Sequence, residues 1–119
     1  VKGQPLALSR DGDGDDWLAA HMLRNQGFVP AWIEDDRAIA AERAALDAQL
    51  QQHVEHARQE GAAVHPADTA RVEARFRERA ERLNRLIERH NLAVPAASLQ
   101  RRKVAIDDVL AAFRRRLPT

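Results

Sequence analysis

The chain has 119 residues, 31% of them charged, with a formal net charge of +1, no cysteine and few aromatics: two Trp, three Phe and no Tyr. The absence of cysteine excludes disulfides, thiolate zinc sites and cysteine nucleophiles, and it fits a reducing compartment such as the cytoplasm. No apolar run approaches the roughly 20 residues that span a bilayer, so no membrane partner is expected. The chain opens at Val1 rather than Met, which reads as a piece of a longer protein.

Residues 1–14 contain Gly3, Pro5, Gly12 and Gly14 without periodicity and read as an extended loop. A short helix is expected over 15–26. Asp15 or Asp16 caps it, Trp17, Leu18, Met22 and Leu23 are its apolar residues, and Gly27 and Pro30 end it. Pro30 also suits the start of a second helix over 31–60, where no Gly or Pro intervenes. Trp32, Ile39, Leu46 and His53 recur every seven residues along it, with Leu50, Val54 and Ala57 beside them, and Gly61 closes it. After a short connection, Asp68 or Thr69 caps a third helix over 68–90. Its stripe is Val72, Phe76, Ala80, Leu83, Ile87 and His90, and Asn91 is the expected terminating residue. Asn84 lies beside the stripe, where a polar side chain fixes the register of paired helices. Residues 91–104 read as extended around Pro95. A final short helix over 105–117 carries Ile106, Val109, Leu110 and Phe113 on one face. Two long helices joined by a short loop run antiparallel. The expected fold is therefore all-α, in one helical domain: a long antiparallel, coiled-coil-like hairpin with a short N-terminal helix, a docked extended segment and a short C-terminal helix.

Charge is distributed unevenly. Residues 1–70 carry 6 basic against 12 acidic side chains, and residues 71–119 carry 13 against 6. The two halves are expected to neutralise each other on folding. The anion-binding alternative rests on Arg71, Arg75, Arg82, Arg101, Arg102 and Lys103. Glu73, Glu78, Glu81 and Glu88 alternate with these arginines, and no aromatic stacking platform accompanies them, so the pattern reads as a salt-paired face more than an RNA surface.

Other candidate chemistry is weaker. The stretch Asp11 to Asp16, DGDGDD, has alternating carboxylates but lacks the glycine and glutamate positions of a calcium loop. His53 and His56 are three apart with Glu55 between them and Glu60 nearby, but the four-residue spacing of a zinc helix, with glutamate directly after the first histidine, is absent. Serines and threonines have no histidine and acid at a recognisable spacing, and no glycine-rich phosphate loop exists. No enzyme, metal or cofactor is expected. The stretch Ala63 to Asp68, AVHPAD, approaches the His-Pro-Asp of J-domain co-chaperones. Ala67 interrupts it, so it reads as a helix start.

Three stretches carry a family resemblance. KGQPLAL (Lys2–Leu8) resembles a G-x-G-K-P-L motif. MLRNQGFVPAWI (Met22–Ile33) resembles L-K-N-x-G-F/Y-x-P-x-W/E. LNRLIERHNLAVPAASLQ (Leu83–Gln100) resembles L-N-x-x-I-x-x-Y/H-N-L/I-x-V/I-P. In this order, over nearly the whole chain, they resemble the C-terminal domain of J-protein subfamily C member 28, a domain also found alone in bacterial proteins. Val1 and Gln4 depart from its Gly and Lys, and Arg24 replaces a Lys. The family usually has a short helix before the first motif, which this stretch does not include, so an uncovered apolar surface is expected. The resemblance implies a helical domain with a link to chaperone systems and no enzymatic activity. The expected function is a protein-interaction module anchored at the corner of Asn25, Phe28, Pro30 and Trp32. Its partner is another protein or a second copy of the chain; RNA or the ribosome is the alternative.

Overall fold

A computed structural model describes residues 29–61 and 64–118. The expected loop over 1–14, the helix over 15–26, the DGDGDD stretch and the motif residues before Val29 lie outside them. The described residues are all-α, as the periodicity predicts: α1 (Ala31–Glu60), α2 (Pro66–Ala93), a single 3-10 turn (Ala97–Leu99) and α3 (Ile106–Arg116). The chain divides into two compact units, Val1–Arg37 and Ala38–Thr119. In the first, Ile33 and Asp36 are buried. The second holds the rest of α1 and all that follows.

α1 begins after Pro30, whose carbonyl accepts the Ile33 N–H at 3.0 Å. It ends at Gly61, whose φ of 63° is left-handed backbone that a glycine adopts without steric cost. The heptad reading holds from Ile39 onward, while Trp32, its first member, is only half-buried. Ile39, Leu46, Leu50, Val54 and Ala57 are buried, and His53 with them.

The start of α2 corrects the expected cap. Neither Asp68 nor Thr69 caps the helix; His65 does, its Nδ1 accepting the Ala67 N–H at 3.0 Å. The reason lies in Pro66. Its fixed φ suits the first helical position, and its missing N–H needs no partner there. Asp68 consequently falls inside the first turn, where its charge favours the helix dipole and pairs with Arg71.

The end of α2 is corrected too. Asn91 does not terminate the helix, which continues to Ala93, so the first three residues expected to be extended are helical. Pro95 decides the boundary: the residue before a proline is driven out of the α region, and Val94 sits at φ −72°, ψ 147° while its N–H reaches the His90 carbonyl at 3.1 Å. α3 spans one residue less at each end than its pattern suggests. Asp107 and Asp108 occupy its first turn and Arg114, Arg115 and Arg116 its last, both favourable to its dipole.

α1 and α2 pair antiparallel. Glu42 of α1 meets Arg79 of α2, and His53 meets Thr69, so position falls along α2 as it rises along α1. One core joins Ile39, Leu46, Leu50 and Val54 of α1, Phe76, Ala80, Leu83 and Ile87 of α2, and Leu110 and Phe113 of α3. α3 thus closes the apolar seam that the hairpin leaves open. Truncating a seam residue removes buried contacts and leaves a cavity, so Leu83→Ala should cost on the order of 3 kcal/mol in denaturant unfolding followed by circular dichroism. Leu92, on the same helix but 89% exposed, should cost less than about 0.5 kcal/mol when changed to Ala.

Candidate functional site

Two asparagines on one flank of α2 do the same job. Asn84 Nδ2 donates to the Val104 carbonyl at 3.0 Å, and its Oδ1 accepts the Val104 N–H at 2.7 Å. Asn91 repeats the pattern with Arg101, at 2.9 Å to the carbonyl and 2.8 Å from the N–H. A primary amide carries the same donor and acceptor as a peptide group, so each asparagine acts as a short piece of neighbouring strand. The spacing makes the pair work. Seven helical residues rise about 10.5 Å, and three extended residues cover about 10 Å. Asn84 and Asn91 therefore stay in step with residues 104 and 101 of a segment running antiparallel to the helix.

Further bonds fasten the same segment. His90, fully buried, shares a 3.1 Å hydrogen bond from Nε2 with the Leu99 carbonyl. Gln100 donates to the Asn91 carbonyl at 3.2 Å, and Lys103 meets Glu88 at 2.6 Å. From the other side, the Arg43 guanidinium of α1 donates to the Arg102 carbonyl. Residues 100–104 are thus an extended peptide held on a helical hairpin, largely through their backbone.

Ion pairs fasten α3. Arg114 grips Glu73 of α2 with two bonds, 2.9 and 2.7 Å, and Arg77 meets Asp107 at 2.9 Å. The hydrogen bond from Arg114 holds the Glu73 carboxyl below its ordinary pKa. Partial burial opposes this, and the charges of Arg114 and Arg77 assist it. Lys103 lowers Glu88 in the same way, first by its hydrogen bond and then by its charge. Between α1 and α2, Arg79 holds Glu42 through both carboxylate oxygens.

Of the residues singled out from sequence, Asn25 and Phe28 lie outside the described residues. Pro30 and Trp32 are half-buried at the start of α1. Arg71, Arg75 and Arg82 share an exposed stripe of α2 with Arg85 and Arg89, opposite its buried face. Arg71 pairs with Asp68 and Arg82 with Glu78, the latter at 3.5 Å. Arg101, Arg102 and Lys103 stand apart from that stripe, on the clamped segment. His53 is engaged with Thr69 at 2.9 Å, and its ring lies 5.9 Å from that of Phe113 and 6.3 Å from that of His56. Among the described residues, no three His, Cys, Asp or Glu side chains gather as a metal site, and no helix is long and apolar enough to cross a membrane.

The clamp is what the sequence reading missed. Asn84 does not set the register of the two long helices, and Asn91 does not close α2. The available signal was their spacing of seven, which puts both amides on one flank of the helix. Compared with known proteins, the chain matches no family model, no curated protein and no solved structure.

Asn84→Ala removes both partners of the Val104 backbone and should destabilise the domain by about 2 kcal/mol. In native-state hydrogen exchange the Val104 amide should lose most of its protection, while that of Ile87 in the core falls only by the global change. For Glu73, a folded-state pKa below the unfolded value means that the folded state holds fewer protons in acid. Its contribution is present above about pH 4.3 and lost as pH falls through the lower folded value. Glu73→Gln should therefore be less stable than the parent at neutral pH, with the gap closing below about pH 4.3 in urea titrations at stepped pH.

Proposed function

We propose that the chain is a non-enzymatic helical module that binds a protein partner. The observation that carries this reading is the amide clamp: the hairpin holds an extended polypeptide segment by its backbone, as exposed sheet edges hold the peptides they take up. Support also comes from how the other partly buried polar groups are used. His53 and Thr69 are engaged with each other, as in a scaffold.

The partner's anchor in this reading is the corner of Asn25, Phe28, Pro30 and Trp32. The resemblance of the three motifs to the C-terminal domain of J-protein subfamily C member 28 supports, as part of the proposal, a role in chaperone or quality-control systems of the cytoplasm. A second reading draws on the exposed stripe of Arg71, Arg75, Arg82, Arg85 and Arg89: an RNA- or ribosome-associated factor whose binding rests on phosphate contacts.

Affinity capture with in-cell crosslinking separates the two. The first reading expects a protein to be retained selectively by the parent chain, at about tenfold lower yield with Trp32→Ala, because buried aromatic anchors dominate such interfaces. It fails when nothing is retained above background. The second expects RNA binding that weakens steeply between low and physiological salt; no association at low salt rejects it.

A further inference from the structure

We propose that the cleft between α1, α2 and the segment leading into α3 binds a small organic carboxylate with an apolar body. The cleft encloses about 260 Å³, the room of roughly nine water molecules at about 30 Å³ each, which suits a single substituted ring. Leu46, Phe76, Val104 and Val109 form its wall. Val104 and Val109 are half-buried and present the apolar surface, Leu46 and Phe76, 2% and 1% exposed, back it from behind, and an apolar body gains by covering that surface.

The margin is cationic. Arg43, Arg102 and Lys103 stand around the cleft, with Asp47 as its acid. Asp47 lies one helical turn from Arg43 on α1, a spacing at which the two charges offset each other. Glu88 already pairs with Lys103. Arg43 donates to the Arg102 carbonyl, and a guanidinium has donors to spare beyond that bond. Arg102 is exposed, and the clamp holds its backbone, so its side chain is available to a ligand. An apolar wall below a margin with surplus positive charge selects one carboxylate on an apolar body, and Asp47 opposes a second negative charge.

The test titrates the whole isotope-labelled chain with phenylacetate and with its neutral counterpart phenylacetamide, following backbone amides by NMR. The expected result is saturable shifts at residues 102–105 and around Leu46, with the acid binding about tenfold tighter than the amide, as loss of a charge-assisted bond implies. Arg102→Gln should weaken phenylacetate about tenfold without moving the melting temperature. Val109→Phe, which fills the cleft, should abolish the shifts. The proposal is overturned by the absence of saturable shifts in the parent, by equal affinity for acid and amide, or by an Arg102→Gln variant that binds as the parent does.

Discussion

The apolar seam between α1 and α2 is the constraint on which every other feature depends. Both helices are long, charged and alanine-rich, and neither buries a face alone. Brought together antiparallel, they sequester Ile39, Leu46, Leu50 and Val54 against Phe76, Ala80, Leu83 and Ile87. Two consequences follow from that pairing. A trough remains along one side of the seam, which Leu110 and Phe113 of α3 fill. The flank of α2 bearing Asn84 and Asn91 is turned toward the chain as it returns from Pro95. Backbone groups of the returning segment would otherwise bond only to water, and the two amides give them fixed partners at little cost in space.

Electrostatics refines this packing and does not create it. The expectation that an acidic first half neutralises a basic second half holds for Arg79 with Glu42, yet Glu73, Asp107 and Glu88 of the second half take Arg114, Arg77 and Lys103 of the same half. These pairs are partly exposed, and such pairs are worth little individually. Their value lies in direction. Each of the last three joins α2 to the C-terminal segment or to α3, so together they orient the piece that closes the seam.

Much of this fold was legible in the amino-acid order because helix periodicity and glycine–proline punctuation are local signals. The run without Gly or Pro between Pro30 and Gly61 bounds α1, and the seven-residue recurrence of Ile39, Leu46 and His53 marks its buried face. The pattern of Ile106, Leu110 and Phe113 likewise marks the buried face of α3. What escaped depends on other parts of the chain. His65 caps α2 because Pro66 occupies the first helical position, a contest between neighbours that cap preferences alone decide wrongly. Asn84 and Asn91 find their partners on a segment ten or more residues away, whose return path no periodicity announces. The cleft beside Arg102 is further still from the sequence, since three separate stretches must meet to form it.

The antiparallel closure of the hairpin is best tested by distance. With no native cysteine in the chain, Glu42→Cys and Arg79→Cys accept spin labels without background. Pulsed electron–electron resonance should give a single short separation of about 20 Å or less, since the two positions face each other across helices packed about 10 Å apart. A separation near 55 Å, the rise of a continuous helix over the intervening residues, would contradict the account.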